Sequence, residues 1–492
     1  MSAFHVASEA EVRAGETTDI YFRRTEEVLR AHGLADRRAY AEVTTGSLPE
    51  RWPWGALCGL DEALRLLEGR DVDVDALPEG TLFPARDRNG VRLPVLSVDG
   101  PYGAYCVYET PLLGLLCQAT GVAACAARIA FAAAGSPVLS FGIRRMHPAL
   151  APMLDRAAWV GGVDGVSCIL SARRLGIEPR GTMPHALVIL FGDQAAAFRA
   201  YDADLPPEAP RIALVDTYCD EKAEAILAAE TLGERLHGVR LDTPASRRGS
   251  FEEIIREVRW ELDLRGFRHV RIYVSGSLDE HNIPSLRRAG ADGFGVGTHL
   301  ANAPVVDFAL DVLELEGKPA AKRGKFGGKK EVFRCPRCLS FLCLPRGEPA
   351  PVCPDCGDAT MEPQLQRFLE GGRLVRPLPE ADDSRRRVRE QLPRVSLEAA
   401  GGEEVSRMPA SDRERAIEKA KELYEQRKAE GMDFSQGPCL ADEIIPDWCV
   451  DVAHSPRQAV DNEPQNQCRS YREGRVCHFV ELDPEGNVLR AR

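Results

Sequence analysis

The residues best suited to chemistry are one histidine and several charged or glycine-rich turns in the middle of the chain. His185 stands in Arg180-Gly181-Thr182-Met183-Pro184-His185-Ala186-Leu187, a polar turn between two apolar stretches. Before it, Val166 to Leu175 has helical spacing with Gly176 as its stop; after it, Leu187 to Phe191 is apolar again, so both flanks read as buried. A neutral imidazole held at an element end can act as a nucleophile or base, although a hydrogen-bonded histidine opening a helix has the same pattern. Arg240 and Asp242 would supply a cation for phosphate and a carboxylate for sugar hydroxyls or a hydrated Mg²⁺, the alternative being a surface ion pair. Ser275-Gly276-Ser277 and Gly293-Phe294-Gly295-Val296-Gly297-Thr298 remove side chains where backbone N–H groups can approach an anion; a tight turn is the other reading.

These residues need elements to bring them together. Short apolar runs alternate with helical patterns from about residue 112 to 305, the signature of repeated βα units in a parallel sheet or barrel. Strands are expected near 138–141, 180–183, 212–216, 239–242, 270–275 and 293–296. Each ends in polar residues: Phe141-Gly142-Ile143-Arg144-Arg145, His185, Asp216-Thr217-Tyr218-Cys219-Asp220, Arg240-Leu241-Asp242-Thr243, Ser275 to Glu280, and Gly295 to Thr298. In α/β barrels such carboxyl ends build one shared site, and late strands often carry phosphate. Residues 15–110 read as α+β, with helices ending near Gly33 and spanning Asp61 to Gly69 and β-type segments from Val91 to Val98.

Four cysteines form the most specific local motif. Cys335-Pro336-Arg337-Cys338 and Cys353-Pro354-Asp355-Cys356 match the two knuckles of a zinc ribbon, a closed site whose role is folding; a redox dithiol is the alternative. Before them, 317–330 holds six basic residues and no acidic one, either a solvated loop or an electrostatic arm near a phosphate-rich ligand. After a charged stretch at 379–404, Ser411 is expected to cap a helix over Asp412 to Glu430. Cys439, Cys449, Cys468, Cys477, His454 and His478 are irregularly spaced and give no metal pattern. The divisions expected are 1–111, 112–316, 317–404 and 405–492.

Composition sets outer bounds. With 492 residues, 44% hydrophobic and 28% charged, the chain reads as an ordinary globular protein of two or more domains. A net charge of −12 argues against nucleic acid as a main partner. Met1 to His5 lacks a signal pattern, so a cytoplasmic protein is expected, with most of its 15 cysteines as free thiols or metal ligands. The most apolar region, 111–142, is broken by Gln118, Gly121, Arg128, Gly135 and Pro137, which fits a buried helix and strand better than a membrane span.

Taken in order, Tyr108-Glu109-Thr110-Pro111-Leu112-Leu113-Gly114-Leu115-Leu116, Phe141 to Arg145, Gly181 to Ala186 and Val274 to Glu280 resemble the nicotinate phosphoribosyltransferases. Gly317 to Lys330 and the ribbon resemble the microbial branch, and the likeness spans about 15–395. The resemblance implies an N-terminal α+β domain, an incomplete α/β barrel and a homodimer or higher homo-oligomer with sites shared between subunits. It implies transfer from 5-phosphoribosyl 1-diphosphate to nicotinate with Mg²⁺, assisted by ATP as co-substrate. On the reading of the residues themselves Asp242 is the second catalytic candidate beside His185, Thr182 and Arg240 are substrate-binding, and Ser275, Gly276, Ser277, Gly295, Gly297 and Thr298 would cradle phosphate. By the resemblance His185 would be transiently phosphorylated. Arg144 would bind the pyridine, stacked on Phe141 and on Tyr21 of the neighbouring subunit. Ser277 stands where the family often has glycine. Asp164 falls where nicotinamide-using relatives carry a carboxylate, so nicotinamide is an alternative substrate; an N-cap for the following helix is the other reading of Asp164. A catalytically silent relative serving as a binding module is the remaining alternative.

Overall fold

The apolar region at 111–142 forms helix Glu109–Ala133 and strand Val138–Ser140 in the computed structural model, which describes residues 4–247, 249–397, 412–445, 448–455, 457–473, 476 and 478–491. That helix is long and apolar enough to cross a membrane, yet most of it is buried within the protein. Its small residues explain the burial. A Cβ on Gly121 would lie 2.2 Å from the Pro304 carbonyl oxygen, and one on Gly161, in helix Ala151–Gly161, 2.4 Å from that of Ala123. Neighbouring backbones therefore close directly onto the helix, as dense packing requires.

The chain divides into two compact units, Met1–Ala399 and Ala400–Arg492. In the first, six parallel strands lie in the order Gly165–Val166, Val138–Ser140, Gly293–Val296, Arg271–Ser275, Leu236–Leu241 and Arg211–Leu214. Val239, Leu241, Ile272, Val274, Phe294 and Val296 are buried, as expected for strands covered on both faces. Because all six run the same way, their carboxyl ends share one rim. The sheet keeps two edges, so the α/β barrel is incomplete.

Two local expectations need correction. No strand forms at 180–183: Arg180 donates its N–H to the Val166 carbonyl at 2.8 Å, but Pro184 has no N–H to continue a ladder, and helix His185–Phe191 follows. The two-residue strand Gly165–Val166 stands in the sheet instead, too short to leave a periodic signal. The second correction concerns Leu187 to Phe191, which read as buried. Only Val188 is; Leu190 is 85% exposed.

The other large sheet has seven strands, in the order Lys318–Pro319, Phe308–Leu315, Arg38–Thr45, Leu96–Pro101, Asp73–Ala76, Gln366–Glu370 and Arg373–Leu374. It crosses the divisions expected at 111 and 316, because Phe308–Leu315 pairs with Arg38–Thr45 and Gln366–Glu370 with Asp73–Ala76. The basic 317–330 segment also differs from a free arm. Lys322 and Lys325 pair with Asp311, Lys329 with Asp99 and Lys330 with Glu42. These lysines fasten the loop to acidic residues of that sheet.

A hairpin of Lys330–Arg334 and Phe341–Pro345 carries the first CxxC at its turn. The second unit holds helix Asp412–Ala429, closed by Gly431 at φ 81°, and strands Cys439–Ile445, Trp448–Val452, His478–Leu482 and Val488–Ala491. Ala416, Ala420, Tyr424, Trp448, Val450 and Leu482 pack its core. Cys439 and Cys468 form a disulfide, while twelve other cysteines among the described residues are free, as expected of most of them. Ser411 and Cys477 lie outside the described residues.

Candidate active site

The imidazole of His185 projects from the first turn of its helix toward the rim of the parallel sheet, with the side chain 39% exposed. Nδ1 lies 3.2 Å from Thr217 Oγ1, while Nε2 faces two carboxylates: Asp216 Oδ1 at 3.8 Å and Asp242 Oδ2 at 4.0 Å. Asp216 follows Arg211–Leu214 and Asp242 follows Leu236–Leu241, so adjacent strands aim both acids into one space.

Asp216 is the most perturbed of the group. Its side chain is 4% exposed, Oδ2 accepts a hydrogen bond from Thr243 at 3.2 Å, and buried Oδ1 accepts none. Burial pushes its carboxyl up to about 6; Asp242 adds to the shift and His185 opposes it. The turn beneath is fixed by buried Glu224, whose carboxylate accepts the N–H groups of Thr217, Tyr218 and Cys219 at 2.8, 2.5 and 2.7 Å. Arg240, itself lowered by burial, donates to Thr182 Oγ1 at 2.5 Å and to Asp242 Oδ2 at 3.3 Å. Ser275 Oγ donates to Asp242 Oδ1 at 2.7 Å. His185, Thr182, Arg240, Asp242 and Ser275 thus form one cluster. Asp216, Thr217 and Glu224 belong to it as well. Asp216 had a readable signal, since it follows an apolar strand at the same place as Asp242 in the next one.

Phe141 lies beside this cluster for a reason that changes the reading of one glycine. A Cβ on Gly295 would stand 2.4 Å from the Phe141 ring, and one on Gly293 would stand 2.6 Å from the Tyr273 ring. Gly295 is emptied for an aromatic ring rather than for an anion. Gly297 is less crowded, its nearest neighbour being the Phe141 carbonyl oxygen at 3.4 Å, and it leads to exposed Thr298. Arg144 is exposed on the turn after Phe141, and its charge opposes that of Arg240. Gly276 and Ser277, at φ 94° and 54°, are both left-handed.

Two expected site residues stand elsewhere. Tyr21 is 56% exposed, lies with its ring tilted against that of Phe22 and has the charges of Asp19 and Glu109 for neighbours. Asp164 precedes Gly165–Val166 and so lies at the amino end of the sheet, opposite the rim. There its carboxylate accepts the Val138 N–H at 3.0 Å and pairs with Arg385 and Arg389. It neither reaches the rim nor caps helix Ile169–Leu175, whose N-cap is Cys168.

In the ribbon, the sulfurs of Cys335, Cys338, Cys353 and Cys356 all lie within 4.8 Å of one another. Cys335 to Cys356 is 3.7 Å and Cys338 to Cys353 is 3.6 Å. Tetrahedral bonds of about 2.3 Å to a central ion put sulfurs about 3.8 Å apart, so the cluster can hold a metal.

Comparison with known proteins places these sites in context. The family description "Quinolinate phosphoribosyl transferase, N-terminal domain" matches residues 19–120, and "Quinolinate phosphoribosyl transferase, C-terminal domain" matches 122–311. The nicotinate phosphoribosyltransferase pncB2 of Mycobacterium tuberculosis is 34% identical over 396 residues, covering 76% of this chain and 81% of its own length. For pncB1 of the same organism the figures are 34% over 297 residues, 56% of this chain and 63% of the relative, so the chain spans less than two thirds of that protein. A solved nicotinate-nucleotide pyrophosphorylase from Pyrococcus furiosus is 50% identical with a TM-score of 0.76, covering 80% of this chain and 99% of that one.

Proposed function

We propose that this chain, which belongs to the quinolinate and nicotinate phosphoribosyltransferase family, transfers the phosphoribosyl group of 5-phosphoribosyl 1-diphosphate to nicotinate, with ATP hydrolysis assisting. The observation that carries the reading is the meeting of His185, Asp216 and Asp242 at one rim of the parallel sheet.

In the transfer step, the pyridine nitrogen bonds to the sugar C1 while the C1–O bond breaks and its electrons leave with diphosphate. Positive charge builds on the ribose, so holding the reactants in line and binding the leaving group supply most of the catalysis. Arg144 and the Phe141 ring suit the pyridine carboxylate and ring, and Arg240 with the Ser275-Gly276-Ser277 and Gly297-Thr298 turns suits the phosphates. With Nδ1–H donating to Thr217, Nε2 of His185 carries the lone pair that attacks the γ-phosphorus of ATP; the bond to ADP breaks, and water later frees the phosphate. Mg²⁺ fits this donor set, since Asp216 Oδ1 is a buried acceptor without a partner and Asp242 stands across the imidazole. Asp216 and Asp242 would hold the ion, which when bound offsets phosphate charge.

The position of Asp164 favours nicotinate over nicotinamide: a carboxylate committed to two arginines at the far end of the sheet cannot receive an amide at the rim. We further read the four-thiolate cluster as a structural zinc site and the protein as cytoplasmic. The exposed apolar side chains Ile20 and Tyr21, and Ile189, Leu190 and Phe191 on the helix that carries His185, suit a homodimer in which Tyr21 of the partner subunit completes the pyridine site. The test is a product assay with nicotinate, nicotinamide and quinolinate, each with and without ATP. Nicotinate mononucleotide, formed faster with ATP, is expected; exclusive use of nicotinamide, or CO₂ release from quinolinate, overturns the reading.

A further inference from the structure

Behind the two phosphate-facing turns lies a buried ion-paired chain that the transfer chemistry does not use. Glu280 ends the segment opened by Ser275-Gly276-Ser277, and His299 follows Thr298. Glu280 Oε2 lies 2.8 Å from His299 Nε2, and Glu280 Oε1 accepts from Arg128 Nε at 2.8 Å. Arg128 comes from the core helix Glu109–Ala133, and its guanidinium stands 5.2 Å from the Trp52 ring and 5.9 Å from that of Trp54. The side chains of Arg128 and Glu280 are 5% and 1% exposed. Burial alone would push the Glu280 carboxyl up, yet the hydrogen bonds from His299 and Arg128 hold it at about 2. Hydrogen bonds with Cys125 and Glu280 push His299 up to about 10, so the pair is ionised throughout the physiological range.

One carboxylate thus spans two segments that arise from different strands and ties both to the innermost helix. We propose that Glu280 and His299 are positioning residues, and that the Arg128–Glu280–His299 strut sets the spacing between the two turns that receive the phosphates of the sugar donor. The inference rests on the function proposed above. A loosened spacing weakens donor binding more than pyridine binding, since Phe141 is held against the strand end by its N–H bond to the Val296 carbonyl at 2.8 Å, ahead of the Gly297-Thr298 turn.

The test compares Glu280→Gln and His299→Gln in the intact protein, with His299→Lys as the charge-restoring variant. Steady-state kinetics is combined with calorimetric binding of inorganic diphosphate. Expected for both Gln variants are a KM for 5-phosphoribosyl 1-diphosphate raised about tenfold or more and a matching loss of diphosphate affinity, with the KM for nicotinate within about twofold. His299→Lys should recover part of the loss. Equal changes in both KM values, or unchanged diphosphate affinity, overturn the strut. Should Glu280→Gln fail to fold, His299→Gln, at a position whose side chain is 30% exposed, decides alone. If the wild type does not use nicotinate but the variants still lose diphosphate affinity, the function fails and the strut stands.

Discussion

Asp216 and Asp164 stand at opposite ends of the same parallel sheet and are treated in opposite ways. Asp164, at the amino end, receives a backbone N–H and two guanidinium groups. Asp216, at the carboxyl end, receives one hydroxyl, leaves a buried oxygen without a donor and faces a second carboxylate across a histidine. A saturated charge holds elements together; a starved one is held ready for something else. The contrast separates a fastening from a site without reference to which residue types are present.

The strongest test is at the centre of the starved end. His185→Ala removes the nucleophile and should lower kcat/KM for nicotinate in the presence of ATP by about 10² to 10⁴, with loss of acid-labile phosphate on the protein. Persistent labelling from γ-labelled ATP would place the acceptor elsewhere. Next comes Asp216→Asn. It keeps the shape but removes the charge facing Nε2, and should cost on the order of 10²-fold in kcat/KM. Stability should move the other way. The folded carboxyl titrates near 6 against 3.8 as the ordinary value, so the native state holds the proton more tightly and loses stability as pH rises from about 4 to about 6. Asn should therefore raise stability above pH 6, on the order of 1 kcal/mol, with the gain vanishing below about pH 4. Denaturation midpoints of variant and wild type at pH 4 and 8 check this; a stability difference between the two proteins that is the same at both pH values would remove the special standing of Asp216.

The saturated end should show the reverse profile. Asp164→Ala leaves Arg385 and Arg389 without their carboxylate and frees the Val138 N–H, at an expected cost of about 1–3 kcal/mol in stability. The ratio of nicotinate to nicotinamide turnover should stay unchanged. A shift of that ratio toward either pyridine would return Asp164 to the substrate.

What the sequence made legible follows the same division. The rim could be read because the longer parallel strands are apolar runs that stop at polar residues, which set Arg240, Asp242 and Ser275 at comparable positions without any knowledge of their contacts; the two-residue strand Gly165–Val166 was not legible in this way. Asp164 could not be placed, since its partners stand more than two hundred residues later and nothing local announces them. Gly295 failed for a related reason. A missing Cβ shows that something comes close, and a phenylalanine ring leaves the same gap in sequence as an anion. The seven-stranded sheet was hidden too, because its late strands pair with early ones across the whole barrel.

The smallest expected effect tests whether the starved end is also strained. Ser277 has φ 54°, a left-handed backbone that side chains disfavour, and its carbonyl accepts Asn282 Nδ2 at 2.9 Å, which helps to hold the turn. Removing the side chain relieves the steric cost but adds freedom to the unfolded chain, so the two terms partly cancel. Ser277→Gly should therefore gain only about 0.5 kcal/mol. Because the hydrogen bond uses the backbone carbonyl, it survives the change. Activity should stay within about twofold, since phosphate contact at this turn would come from backbone N–H groups that glycine keeps. A large loss of donor affinity in Ser277→Gly would instead show that the hydroxyl itself binds phosphate, and that the strain is tolerated to aim it.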